Sequence, residues 1–159
     1  MDKTFTVPRF ALPRLVARVG KRLPQWPHSL ALATALDVAR RAGMLPAERV
    51  SELEGRTFRV SVLDAGGVAD FTVVRGRFRP VLAPAAKPDL HFSANLSAFL
   101  QLLARQEDPD TLFFNRQLAI EGDTELGLMA KNMLDAVEWS ALDRAPLPAW
   151  FKGRLGLRV

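Results

Sequence analysis

The stretch Leu112-Phe-Phe-Asn-Arg-Gln-Leu-Ala-Ile-Glu-Gly-Asp-Thr-Glu-Leu-Gly-Leu-Met-Ala-Lys-Asn-Met-Leu-Asp-Ala-Val-Glu138 decides how this chain is read. Residues 112–117 read as loop. Leu118 and Ile120 alternate with Ala119 and Glu121, which is strand spacing. Gly122 permits a tight turn, and Asp123 stands where a helix cap is needed. Glu125 falls in the first turn of that helix, where the macrodipole favours negative charge. Leu126, Met129, Ala130, Met133, Leu134 and Val137 then recur at helical spacing. So wide and soft an apolar stripe either closes a core or walls a cavity for an apolar guest.

Working outward, residues 89–93 read as a strand, with Leu90 and Phe92 on one face and His91 and Ser93 on the other. Asn95 is placed to cap a helix whose apolar side is Leu96, Phe99, Leu100 and Leu103, and Asp108-Pro109-Asp110 reads as the turn that ends it. Further back, Phe58, Val60 and Val62 alternate with Arg59 and Ser61. Asp64-Ala-Gly-Gly67 then turns the chain into a return strand, residues 68–74. Residues 77–82 form a third strand, which Pro80 confines to a sheet edge. Residues 29–45 predict a helix capped by Ser29 and ended by Gly43 and Pro46, and residues 47–53 add a further turn. The order predicts an α+β fold: a five-stranded, mainly antiparallel sheet covered on one face by helices. No internal repeat is visible.

The chain has 159 residues, 48% of them hydrophobic, which suits one domain with a real core. It has no cysteine, which removes disulfides, thiol nucleophiles and thiolate metal sites and fits a reducing cytoplasm. No run approaches a membrane span. Prolines and arginines interrupt the apolar run that a secretory signal would need at the start. The net charge of +5 is uneven. Residues 1–48 carry eight basic and three acidic side chains, residues 49–143 ten and fourteen, and residues 144–159 four and none. An acidic body between two basic ends points to an anionic membrane surface or an acidic protein partner. Nucleic acid is disfavoured, because the positive charge is not interleaved with stacking aromatics on a folded face.

Catalytic chemistry finds little support. His28 and His91 have no acid at ligand or triad spacing along the chain, and two histidines without cysteine do not make a zinc site. Glu121, Asp123 and Glu125 form the tightest acid cluster, but a strand end, a helix cap and a dipole partner explain each position. Gly66-Gly67 lies between two strands and opens no helix, so it cradles no phosphate. No serine sits in a nucleophile-elbow motif. The reading is therefore no enzyme, no metal and no cofactor.

With these residues in view, a resemblance can be stated. The hairpin 58–75, the Pro88-Asp-Leu-His-Phe-Ser93 strand, the helix after it and the Leu118-Ala-Ile-Glu-Gly-Asp123 turn resemble the sterol carrier protein type-two domain. The likeness runs roughly from Leu45 to Glu138. The segment 112–128, followed by Lys131-Asn132, is similar to the bacterial UbiT-type accessory factors of oxygen-independent ubiquinone biosynthesis. The resemblance implies a non-catalytic lipid-binding domain with an apolar tunnel between sheet and helices. It also implies isoprenoid quinone precursors or phospholipid as cargo, and hydroxylase partners of the peptidase-U-thirty-two type.

On that reading the chain divides into a basic amphipathic arm (1–28), a lipid-binding domain (29–139) and a basic tail (140–159). The wall candidates are Phe71, Phe92, Leu96, Phe99, Leu103, Phe113, Phe114, Leu126, Met129, Met133 and Val137, any one of which could instead be ordinary core. Arg14, Arg18, Lys21 and Arg22, with Trp150, Phe151, Lys152 and Arg154, would touch the membrane, giving a cytoplasmic, peripherally attached protein. The competing reading is a protein-interaction module with a solid core that docks on an acidic partner.

Overall fold

A computed structural model describes residues 6–84, 86–138 and 140–141. The elements run α1 (Arg14–Arg22), α2 (Gln25–Arg41), α3 (Ala47–Ser51), β1 (Thr57–Val62), β2 (Gly67–Val74), β3 (Arg77–Val81), β4 (Leu90–Ala94), α4 (Leu96–Leu103), α5 (Pro109–Phe114), β5 (Leu118–Gly122) and α6 (Thr124–Asp135). The five strands form one sheet in the order β3-β2-β1-β4-β5. β1–β2, β2–β3 and β4–β5 pair antiparallel, and β1–β4 pair parallel. The expected α+β sheet is thus present, with Pro80 on the edge strand β3.

Register fixes which side chains meet. Phe58 pairs with Phe71 and Leu90, Val60 with Phe92, and Phe92 with Ile120. By alternation, Phe58, Val60, Val62, Phe71, Phe92 and Leu118 share the helix-covered face. Arg59, Ser61, Asp70, His91 and Glu121 share the other. The main core joins the sheet to α2, α3 and α6 through Ala33, Val50, Leu53, Phe58, Phe71, Leu126 and Met133. A smaller cluster of Ala94, Ala98, Leu112 and Leu118 seats α4 and α5.

Several local details differ from the sequence reading. Helix α2 begins at Gln25, not Ser29. Pro27 sits in its first turn, where no intrahelical N–H is required, so proline does not delay the start. Ser29 is not a cap. It is fully buried, and its Oγ accepts the Asp70 backbone N–H at 2.9 Å. Asn95 occupies the N-cap position of α4 but makes no side-chain capping bond. Asp64, from the β1–β2 turn, accepts the Leu96 N–H at 2.8 Å instead, and its second oxygen accepts the Leu12 N–H at 3.0 Å. Asp108-Pro109-Asp110 does not end a helix but starts α5. Asp108 accepts from the Thr111 N–H and hydroxyl at 2.8 and 2.7 Å, with Pro109 in the first turn. Asp123 caps α6 as expected, accepting from Glu125 and Leu126.

The N-terminal arm is packed onto the domain. Val7 is buried, and its N–H donates to Gln106 Oε1 at 2.7 Å. Its carbonyl accepts from the side-chain amides of Gln101 and Gln106. Helix α1 sits against the β1–β2 turn at two glycines. A Cβ on Gly20 would stand 1.8 Å from the Ala65 carbonyl oxygen, and one on Gly66 2.2 Å from that of Ala17. Gly66 also has φ +69°, a conformation disfavoured for other residues. At the far end of the domain Arg105 Nη2 donates to the Asp135 and Val137 carbonyls, tying the α4–α5 connection to the end of α6.

Three carboxylates make the fold acid-sensitive. The Gly76 and Arg75 backbone N–H groups hold Glu54 below its ordinary range. The Thr111 N–H and hydroxyl do the same for Asp108. At Asp37 partial burial works against ionisation, and the bonds from Arg40 and Arg41 more than offset it, so it too is lowered. A carboxyl whose folded value is depressed adds stability that is complete above its unfolded value and is lost as pH falls through the folded one. The melting temperature is therefore expected to decline as pH drops below about 4.5, Glu54's ordinary value. Glu54→Gln should show a shallower acid decline than the parent in thermal melts between pH 6 and 3.

Candidate lipid-binding site

Between the sheet and the helices lies a cavity of about 270 Å³ whose lining is apolar throughout. The floor is the sheet: Phe58, Val60 and Val62 from β1, with Phe71, Phe92 and Leu118. Leu32 and Leu36 of α2 form one wall; Leu96, Phe99, Leu102 and Leu103 of α4 the second; Ala130, Met133 and Leu134 of α6 the third. These side chains meet because strands present alternate residues to one face, while each helix turns a 3.6-residue stripe inward. The lining residues of α2 and α4 keep partial exposure, Leu103 as much as 46%, and there the cavity meets solvent. An apolar cavity of about 150 Å³ already admits a benzene ring, so this one has room for a segment of hydrocarbon chain. The interior is not solid.

Of the expected wall residues, Phe71, Phe92, Leu96, Phe99, Leu103 and Met133 line the cavity. Five do not. Leu126 is closed core under β4, Met129 packs on that core, and Val137 is buried beyond the end of α6. Phe113 and Phe114 lie on α5 and face outward, Phe114 being 80% exposed, with their rings edge to face at 5.8 Å. Helix α5 turns Leu112 inward and leaves its neighbours in solvent. The sequence reading missed Leu32, Leu36, Leu53, Phe58, Val60, Val62, Leu102, Leu118, Ala130 and Leu134. The β1 alternation contained the signal, since the inward residues of a central strand must floor whatever lies under the helices.

The opposite face carries the polar chemistry. Arg59 Nε and Nη2 each reach Asp70 at 2.8 Å, and Asp70 is fully buried. The hydrogen bonds that Arg59 donates to Asp70 raise the guanidinium pKa, against the effect of burial. His91 does have an acid beside it in space, contrary to the sequence reading. The β4–β5 register sets Glu121 opposite, with Oε2 3.9 Å from Nδ1, while Ser61 Oγ stands 2.9 Å from Nε2. Ser61, His91 and Glu121 therefore have the order of a nucleophilic triad. The His–Glu separation exceeds hydrogen-bond reach. β1 is also an interior strand, so its N–H groups are committed to ladders on both sides and none is left to stabilise an oxyanion. Among the described residues no group of three or more His, Cys, Asp or Glu could hold a metal ion.

Helix α1 is strongly amphipathic and buries none of its residues. Leu15, Val16, Val19 and Leu23 are exposed, and so are Trp26 and Leu30 on α2. Arg14, Arg18, Lys21 and Arg22 flank this strip. The other expected membrane contacts, Trp150, Phe151, Lys152 and Arg154, lie outside the described residues. No helix among the described residues is long and apolar enough to cross a membrane.

A sheet with this strand order, roofed by helices over an apolar cavity, is matched by the model of the SCP-2 sterol transfer family across residues 39–135. The chain belongs to that family. The SCP-2 segment spans every strand and the helices α3, α4, α5 and α6, and leaves α1 and all but the last turn of α2 outside. The chain is 46% identical over 93 residues to the ubiquinone biosynthesis accessory factor UbiT of Escherichia coli strain K12, which is 58% of this chain and 52% of that protein. The counterpart in Escherichia coli O157:H7 gives the same values. The chain thus spans about half the length of the curated relatives it matches. Among solved structures, the UbiJ-SCP2 ubiquinone synthesis protein aligns with TM-score 0.54 and 18% identity, over 70% of this chain and all of that one. A stereoselective inverting sec-alkylsulfatase from Pseudomonas sp. aligns with TM-score 0.51 and 17% identity, over 61% of this chain and 15% of that one. At these identities the two structures show the SCP-2 fold alone.

Proposed function

We propose that this SCP-2 family chain is a non-catalytic accessory factor of ubiquinone biosynthesis. In this reading it holds the isoprenoid tail of a quinone precursor and presents the ring to membrane-associated hydroxylating enzymes in the oxygen-independent pathway. The observation that carries the reading is the carbon-lined cavity under α2, α4 and α6. Each methylene-sized group moved there from water contributes roughly 0.8 kcal/mol, so about ten of them supply roughly 8 kcal/mol before ordering and association costs. A wall without polar atoms favours chain length and shape over any headgroup, which suits a prenyl tail. Identity to a UbiT protein supports the choice of pathway.

The test is extraction of the full chain purified from a quinone-producing bacterium, followed by mass spectrometry. A polyprenylated phenol or quinone at near one per chain is the expected result. Phospholipid alone, together with no thermal stabilisation on adding a prenylated phenol, would end the quinone reading. A ligand at 100 times its Kd should stabilise by about 2.7 kcal/mol, a readily visible shift in melting.

The α1 strip supports a peripheral site of action at the cytoplasmic leaflet. Apolar side chains between basic stems lie well at a lipid interface. Each Lys or Arg near an anionic leaflet is worth about 1 kcal/mol, or roughly fivefold in binding, and less as salt rises. Sedimentation with anionic vesicles is expected to fall about fivefold for Arg18→Gln and again for Arg22→Gln. Equal binding of the parent to neutral and anionic vesicles would remove this part of the reading.

A further inference from the structure

Where α4 ends, the carbon-lined cavity meets a second concavity of about 220 Å³. Leu102, Leu103 and Leu134 border both spaces. They form a seam between α4 and α6, and none of them is buried: Leu103 is exposed and the other two are half-buried. On its outer side the seam is faced by Arg105, Glu107, Asp108 and Asp135. An apolar chain lying in the cavity therefore has a polar mouth at this end.

The mouth is electronegative. Arg105 is its one cation among the described residues, against three carboxylates. Its Nη2 is already spent on the Asp135 and Val137 carbonyls, at 2.8 and 2.6 Å. Asp108 gives its oxygens to Thr111, and Glu107 stands 4.0 Å from Arg9. Asp135 makes no ion pair among the described residues, Lys131 being paired with Asp110 instead. The helix itself adds to this field. The last turn of a helix is its negative pole and favours cations. Helix α6 has no basic residue there and ends on Asp135.

We propose that the outer concavity seats the polar end of the cavity's guest and admits an uncharged end in preference to an anionic one. The inference rests on the carrier reading above and adds the class of molecule carried: prenyl alcohols and phenols over fatty acids and prenyl phosphates. The carbon lining cannot tell two guests with the same chain apart, so selection falls to the mouth. A hydroxyl or phenol there donates to the Asp135 carboxylate. A carboxylate or phosphate in its place meets like charge, with only a committed guanidinium to offset it.

Calorimetric titration of the full chain with farnesol and with farnesoate, at neutral pH and low salt, tests the proposal. The two probes share one branched chain and differ at the polar end. Farnesol is expected to bind about tenfold more tightly, the scale of one like charge near a protein surface. Added salt should narrow the gap, as a difference in shape would not. Asp135→Asn should strengthen farnesoate binding severalfold and leave farnesol almost unchanged. That substitution takes an acid away from the negative pole of α6, so melting is expected to hold or rise. Farnesoate binding as tightly as farnesol in the parent, or a farnesoate affinity unmoved by Asp135→Asn, would overturn the seat. Ala130→Phe, which narrows the cavity itself, should weaken both probes. If it does so while the parent binds the two probes equally, the carrier reading stands and the seat falls. If neither probe binds, or if Ala130→Phe changes neither affinity, both readings fall.

Discussion

Arg59→Met is expected to cost about 3–5 kcal/mol of folding stability at neutral pH, because it takes the guanidinium away from a buried carboxylate. Asp70 is fully enclosed, and both of its oxygens are engaged by Arg59 at 2.8 Å. Without the guanidinium, Asp70 loses the group that engages both of its oxygens, and the folded state must either keep a less compensated charge or protonate Asp70. The second course shifts the Asp70 pKa upward in the folded variant, so its proton is bound more tightly folded than unfolded. The variant's deficit should therefore shrink as pH falls toward the ordinary carboxyl range and widen as pH rises, the reverse of the acid sensitivity expected of the parent. Removing both partners as Arg59→Met with Asp70→Leu should recover most of the loss, since apolar replacement of a buried pair is often neutral. Urea melts of the two single variants and the double variant at pH 4.5 and 7.5 give the cycle. A single variant as stable as the parent at both pH values would mean that the pair contributes nothing.

Under the proposed function, Ala130→Phe should exclude an apolar guest from the cavity without unfolding the chain. Ala130 lies on α6 with its side chain at the wall of the carbon-lined cavity. A phenyl ring there occupies space rather than creating it, so the main stability cost of a core change, an unfilled void, does not arise. If the ring excludes about three methylene equivalents of the guest, roughly 2.4 kcal/mol is forgone, a loss near fifty-fold in affinity. The expected signature is a melting temperature equal to or above that of lipid-free parent, with no further rise on adding a prenylated phenol. An unchanged ligand-induced shift would show that the guest binds elsewhere.

Much of the fold was legible because its strands are amphipathic and its turns carry glycine. The alternation at Phe58, Val60 and Val62 and the Gly122-Asp123 turn each found their element. What could not be read was long-range pairing. Nothing local to Glu121 says that it faces His91; that follows from the β4–β5 register, and the parallel β1–β4 pairing is equally invisible from either strand alone. Helix α5 was hidden because Asp-Pro-Asp serves a turn and a helix start equally well, and only the Thr111 bonds decide. The cavity was half legible for a different reason. Core and wall residues obey the same inward pattern, so periodicity finds the face but not the vacancy. Leu126 and Met133 belong to one stripe, and only Met133 reaches open space. Phe113 and Phe114 looked like wall because they are large and apolar, yet one turn of α5 carries both outward.

The Val7 clasp has a practical consequence for anyone trimming this protein. Gln101 is almost wholly enclosed and spends its amide on the Val7 carbonyl, while Asp64 divides its two oxygens between Leu12 and the first residue of α4. A shortened version cut to the family boundaries at 39–135 would orphan that glutamine in the interior and loosen the start of a cavity wall. Residues 7–12 are keystones, and an expression design that discards them as a floppy leader should yield a weakened, aggregation-prone product.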